Sequence, residues 1–173
     1  MTKLIKNGTV VSATGRHAAE VLVDGAPIVA LLQPGSDTAL AAEAGAEEVI
    51  DATGKYVIPG GIDSHTHMEL PFGGTAASDT FETGSRAAAW GGTTTIIDFA
   101  VQTYGQNVRD SLEAWFAKAE GECAVDYGFH MILGDVNEAS LKEMDTLVGE
   151  GISSFKLFMA YPGVFYSDDG QIL

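Results

Sequence analysis

The chain has one cysteine, Cys123, so no disulfide can form within it, and a reducing compartment fits. Basic residues are scarce: nine Lys and Arg against 24 Asp and Glu, for a net charge of −15. That balance argues against nucleic acid and against anionic membrane surfaces as partners, and no basic-aromatic array offsets it. No apolar run is long enough to cross a bilayer. The opening Met1-Thr2-Lys3-Leu4-Ile5-Lys6-Asn7-Gly8 has no long apolar core, so a chain without a secretory signal, and cytoplasmic, is expected. Neither Gly73-Gly74 nor Gly91-Gly92 has phosphate-loop spacing; both read as turn or close-packing glycines.

What the chain does have is 173 residues at 46% hydrophobic content, enough for a sizeable core, and a pattern that changes near residue 59. Residues 1–58 read as short strands and turns. Asn7-Gly8 is a turn signal, and Asp24-Gly25 between apolar runs is a strong hairpin signal. Asp37 to Glu48 is alanine-rich and suits a short helix. The stretch Glu48 to Ile58 suggests two strands around a Gly54 turn. A small sandwich-like β-structure is the expectation for this part.

From Pro59 onward, apolar strands at Ile62–His67, Thr94–Phe99, Tyr127–Leu133 and Ile152–Met159 alternate with helical patterns. The helices are expected over Phe81–Trp90, Asn107–Ala119 and Asn137–Gly149. The second carries Val108, Leu112, Trp115, Phe116 and Ala119 on one stripe; the third carries Leu141, Met144, Leu147 and Val148. Strands alternating with helices imply an α/β fold with a parallel sheet. The closing residues Tyr166 to Leu173 read as a loop entering a helix, so the chain is expected to be the N-terminal part of a longer protein.

Two positions carry chemistry. In a strand, side chains two apart share a face, so Asp63, His65 and His67 would point one way and both imidazoles could reach one metal ion. Lys156 sits among large apolar residues in Ile152–Met159. Buried there, its amine would lose its charge and become nucleophilic, able to capture carbon dioxide as an anionic carbamate. Each signal also has a plainer reading: a structural His-x-His pair, and a lysine whose charge snorkels to water. In a parallel barrel, chemistry gathers at the C-terminal ends of strands, where both signals lie. Asp63 is read either as support for the metal ligands or as a strand-end hydrogen-bonder. His130 is expected to be a buried structural histidine, His17 a solvated one, and Cys123 a small packed thiol.

Three ordered motifs resemble the dihydropyrimidinase/hydantoinase family of cyclic amidohydrolases. They are Gly61-Ile62-Asp63-Ser64-His65-Thr66-His67-Met68-Glu69-Leu70-Pro71-Phe72-Gly73-Gly74-Thr75, Gly91-Gly92-Thr93-Thr94-Thr95-Ile96-Ile97-Asp98-Phe99 and Phe155-Lys156-Leu157-Phe158-Met159-Ala160-Tyr161. Allantoinase and dihydroorotase relatives usually carry Arg-Glu-Pro after the histidine pair; Glu69-Leu70-Pro71-Phe72 stands here instead. The resemblance implies a (β/α)8 metallohydrolase barrel, of which residues 59–173 would be the first half, about four βα units. Residues 1–58 would be the N-terminal part of a β-sandwich domain. A whole barrel takes about 250 residues.

The resemblance further implies two divalent ions, zinc by preference with manganese or cobalt possible. His65 and His67 would bind the more buried one, and a carbamate on Lys156 would bridge both. Further ligands, two histidines and an aspartate, would come from later strands. Tyr161 would hydrogen-bond the substrate carbonyl or its oxyanion; read alone, it is a boundary tyrosine. Phe72, Phe158 and Phe165 would line the substrate pocket. The expected reaction is hydrolytic opening of dihydropyrimidines and 5-substituted hydantoins to N-carbamoyl amino acids, by a small-molecule enzyme that is a homodimer or homotetramer. Two other readings stay open: an allantoinase-like enzyme, and a non-catalytic assembly protein, against which the presence of His65, His67 and Lys156 argues.

Overall fold

The computed structural model describes residues 1–173, which form two compact units, Met1–Pro59 and Gly60–Leu173. The first contains β1 (Thr2–Lys6), β2 (Thr9–Ser12), β3 (Gly15–Ala18), β4 (Glu20–Asp24), β5 (Ile28–Leu32), α1 (Asp37–Gly45), β6 (Glu48–Asp51) and β7 (Tyr56–Val57). These make a four-stranded sheet ordered β5-β4-β1-β6 and a three-stranded sheet ordered β3-β2-β7. The Asp24-Gly25 signal is a β4–β5 hairpin, with Gly25 at φ +64°. The Gly54 turn is not a hairpin. It hands the chain from one sheet to the other, because β6 pairs parallel with β1 and β7 pairs parallel with β2. Leu4 is fully buried, and Val10, Ala19 and Val21 form a small apolar cluster.

The second unit contains β8 (Gly61–Asp63), β9 (Pro71–Phe72), β10 (Thr75–Ala76), α2 (Phe81–Trp90), β11 (Thr93–Val101), α3 (Val108–Ala119), β12 (Asp126–Ile132), α4 (Glu138–Gly149), β13 (Phe155–Lys156) and α5 (Asp169–Ile172). Its main sheet is ordered β13-β12-β11-β8, with every neighbour pair parallel. One helix links each pair of consecutive strands, the arrangement that parallel pairing requires. Two strands are much shorter than the apolar runs predicted. The run Ile62–His67 leaves the sheet after Asp63, and Ile152–Met159 contributes only Phe155 and Lys156.

The helices start where their caps lie. Thr80 and Asn137 each close a capping box, with Thr83 and Ser140, and Asn107 accepts from the Asp110 N–H. Each cap contributes about 1 kcal/mol. The α3 stripe is buried at Val108, Leu112, Trp115 and Ala119, against Phe81, Phe129 and Met131, while Phe116, expected on it, lies at its edge and is 38% exposed. Fully burying a side chain such as Phe81 stabilises by roughly 1.5–3 kcal/mol. On α4 the predicted stripe is only partly covered. Leu147 is buried, but Leu141 and Val148 are 49% and 51% exposed.

Gly134, just past β12, lets the ends of β11 and β12 approach. Its N–H donates to Gln102 Oε1 at 3.1 Å, and a Cβ there would collide with the Gln102 backbone carbonyl. That carbonyl cannot yield as a side-chain tip can. Gly134→Ala is therefore expected to destabilise the full-length protein by about 3 kcal/mol, the upper end for overpacking. Thermal and denaturant unfolding would measure it; a melt unchanged from wild type would show that the strand ends separate freely.

Candidate metal centre

β8 ends at Asp63, so strand pleating does not aim the two histidines. The segment 64–68 is held from β11 instead. Thr66 N–H donates to the Ile97 carbonyl at 3.2 Å. Asp98 Oδ2 accepts from the Thr66 hydroxyl and from the Met68 N–H, both at 2.8 Å, and its Oδ1 accepts from the Phe99 N–H at 2.7 Å. Asp63 Oδ1 accepts from the His65 backbone N–H at 3.1 Å, so it caps the strand end and touches the ligand segment only through its main chain. The result is convergence: His65 Nε2 and His67 Nε2 are 3.2 Å apart. Two imidazole nitrogens bound at about 2.0–2.1 Å to one zinc-sized ion lie roughly 3.3 Å apart at a tetrahedral angle. The pair is already spaced for a shared cation.

Phe99 is the platform of the site. Its ring centroid lies 4.6 Å from that of His65, 4.9 Å from His67 and 4.8 Å from His130. Lys156 Nζ lies 4.4 Å from the same centroid and 4.7 Å from that of Phe158. Lys156 is half-buried, less enclosed than its apolar neighbours in sequence suggested, because the strand around it is short. It lines two clefts. One, of about 400 Å³, includes His65, Phe99, His130 and Ser154; the other, of about 260 Å³, includes His67, Phe72, Phe158, Tyr161 and Phe165.

Phe72 reaches the second cleft on the β9–β10 hairpin, whose turn residues Gly73 and Gly74 have φ of +61° and +81°. Both central residues of this tight turn need positive φ, which glycine supplies. The segment after β13 folds back on itself. Ser167 N–H donates to the Phe158 carbonyl at 2.8 Å, and the Phe158 and Phe165 rings stack at 5.3 Å. Tyr161 packs edge-on against Phe72 at 5.1 Å and holds φ +63°, a conformation uncommon for a bulky residue and found where a side chain must be aimed. Tyr161 is 47% exposed and borders the cleft.

Burial, then the charge of Lys156, then that of His65, push the His67 imidazole below its ordinary pKa. The downward shift favours the uncharged imidazole, which has a lone pair to offer. Its Nδ1 is buried without a partner. Burial pushes Asp98 above the usual carboxylate range, and the three N–H and O–H donors pull it back. His130 is half-buried rather than sealed in the core. Its Nδ1 meets Ser154 Oγ and its Nε2 donates to the Ser64 carbonyl at 2.9 Å, which ties β12 to the segments beside β8 and β13. His17 is exposed on β3. Cys123 is half-buried, and burial raises its thiol, as suits an inert packing residue.

No group of three or more His, Cys, Asp or Glu side chains converges in the chain. His65 and His67 stand as a pair, with Lys156 over the same ring. Asp98 and Phe99 are the site residues that sequence reasoning assigned no role. The available signal was a lone carboxylate inside the apolar run Ile96 to Phe99.

Residues 48–115 match the amidohydrolase family. The chain is 64% identical to a D-hydantoinase of Streptomyces coelicolor over 98% of its own length, and 50% identical to one of Geobacillus stearothermophilus over 99%. The chain belongs to the hydantoinase and dihydropyrimidinase family. It spans 36% and 35% of the length of those two relatives. The crystal structure of a dihydropyrimidinase from Brevibacillus agri superposes with a TM-score of 0.90, at 46% identity, over 99% of this chain and 36% of that one.

Proposed function

We propose that the full-length protein is a divalent-metal-dependent cyclic amidohydrolase that opens dihydropyrimidine and 5-substituted hydantoin rings to N-carbamoyl amino acids. The observation that carries this reading is the His65–His67 nitrogen pair at 3.2 Å, on the same Phe99 ring as the Lys156 amine. Two imidazoles and one lysine are too few for a two-ion site, so the remaining ligands come from the rest of the full-length protein. On this reading the parallel sheet is half of a (β/α)8 barrel, and the strands of residues 1–58 belong to a β-sandwich. A cytoplasmic homo-oligomer is the setting that goes with it.

Bound divalent ions, zinc by preference, supply a water of lowered pKa and a polarised carbonyl. The chain's residues do the rest. His65 and His67 offer their Nε2 lone pairs to one ion. Lys156 would add to carbon dioxide as the free amine; a C–N bond would form, a proton would pass to solvent, and the resulting two-oxygen carbamate anion would serve as a further metal ligand. Tyr161 donates its hydroxyl to the substrate carbonyl oxygen as negative charge builds there. Asp63 and Asp98 keep the histidine segment in place. Phe72, Phe158 and Phe165 take the ring's 5-substituent and exclude water. Water adds to the carbonyl carbon, the ring C–N bond breaks, and the leaving nitrogen gains a proton.

The apolar cleft sets the expected preference. Burying an aromatic 5-substituent is worth roughly 1.5–3 kcal/mol, or about tenfold to a hundredfold in kcat/KM over dihydrouracil. Dihydroorotate, which would bring a carboxylate into that cleft, is expected to be the poorest substrate. Side-by-side assays of dihydrouracil, 5-phenylhydantoin, allantoin and dihydroorotate would decide it. Fastest turnover of dihydroorotate or allantoin would overturn the assignment.

A further inference from the structure

Residues 65–68 carry both histidines yet lie outside any strand. Their main chain has one bond to the sheet, from Thr66 N–H to the Ile97 carbonyl. Asp63 takes the His65 N–H at one end, and Asp98 holds the rest: its Oδ2 takes the Thr66 hydroxyl and the Met68 N–H and so brackets His67 on both sides. Asp98 is fully buried. Every group that meets its oxygens is a donor, which suits a carboxylate and not an acid. No lysine or arginine pairs with it. A buried, unpaired carboxylate is strongly unfavourable unless an opposite charge lies nearby. The His65–His67 pair, directly over the segment that Asp98 grips, is where a cation would sit.

We propose that Asp98 is the positioning residue of the histidine pair: an unligated buried carboxylate that fixes the backbone on both sides of His67 and balances the charge of the ion the pair binds. The proposal rests on the metal-centre reading above. It assigns Thr66 a role too, as the hydroxyl through which the carboxylate controls the angle between the two imidazoles. Groups of this kind, one step behind the ligands, commonly change metal affinity by about 10–100-fold when removed.

The test uses the full-length protein and reads metal rather than activity alone. Zn²⁺ affinity is measured by competition with a chromophoric chelator, and ligand geometry by the visible spectrum of the Co²⁺-loaded form. Thr66→Val removes one donor while keeping shape and backbone; Asp98→Asn removes the charge while keeping size. Thr66→Val is expected to weaken Zn²⁺ about tenfold and Asp98→Asn about 10–100-fold, both with altered Co²⁺ spectra. Thr66→Ser, which restores the hydroxyl, should return affinity to near wild type. The double variant should lose less than the sum of the two single losses, because both changes act on the same segment. At saturating metal, KM should hold while kcat falls.

Wild-type Zn²⁺ affinity and Co²⁺ spectrum in folded Thr66→Val would overturn the proposal, even if Asp98→Asn fails to fold. A wild-type protein that turns over hydantoins and binds metal, beside such silent variants, would sink this inference alone. A wild-type protein that binds no divalent metal would sink the metal-centre reading and this inference with it.

Discussion

Lys156→Ala in the full-length protein is expected to lower kcat/KM by on the order of a thousandfold or more, the scale that several kcal/mol of lost transition-state stabilisation sets. The argument begins with geometry. The Lys156 amine lies over Phe99, the ring that also carries both histidines, and it lines both clefts. If its carbamate supplies the shared anionic ligand, alanine removes that ligand and the affinity for a second ion together. Metal analysis should then find a deficit beside the kinetic loss. Short carboxylic acids, small enough for the space alanine leaves, should restore part of the activity by supplying two oxygens. Lys156→Arg separates charge from chemistry. A guanidinium stays protonated and cannot form the carbamate, so it should fail as badly as alanine despite keeping the positive charge. A fully active, two-metal Lys156→Ala protein would end the carbamate assignment.

Legibility in the sequence followed periodicity. Stripes at helical spacing place α3 and α4, and a helical pattern through Arg86-Ala87-Ala88-Ala89 places α2, all nearly to the residue; each begins at a capping Thr or Asn. The long strands β11 and β12 were equally plain, being apolar runs with partners on both sides. The two short strands were not. Apolar residues continue past Asp63 and past Lys156 for reasons other than pairing: Leu70 and Phe72 line a cleft, and Phe158 stacks on Phe165. An apolar run records burial, whether in a sheet or against a pocket, and composition does not separate the two. The same limit explains Asp98. A carboxylate within Ile96 to Phe99 is visible as an anomaly, but its partners, Thr66 and Met68, lie 30 or more positions away and follow from tertiary structure alone. The histidine pair was found from strand pleating, yet the segment that carries it is not a strand. Two residues spaced by one can converge from either backbone, given an anchor such as Asp98. The partly covered stripe of α4 and the exposed Leu141 and Val148 show the reverse case, apolar pattern without a partner in these residues.

Phe99→Ala is expected to destabilise the full-length protein by roughly 3–5 kcal/mol, the range for removing a buried aromatic ring. Phe99 is only 5% exposed, and its neighbours are held by other bonds that prevent collapse into the space. His130 is tied to the Ser64 carbonyl and to Ser154, and the His65–His67 segment is tied to Asp98. A cavity is therefore left open where three imidazoles and the lysine amine had a common floor. Stability alone would not separate a core role from a site role, so Phe99→Leu is the informative companion. Leucine restores most of the apolar volume but has no ring face for the imidazole edges or for the Lys156 side chain to rest on. Phe99→Leu should thus melt close to wild type while holding less metal and turning over more slowly. Phe99→Ala should show both defects. Thermal unfolding with metal analysis on the same samples reads the two effects separately. If Phe99→Leu keeps full metal content and full kcat, the ring is packing only, and the spacing of His65, His67 and Lys156 is set by their own segments without it.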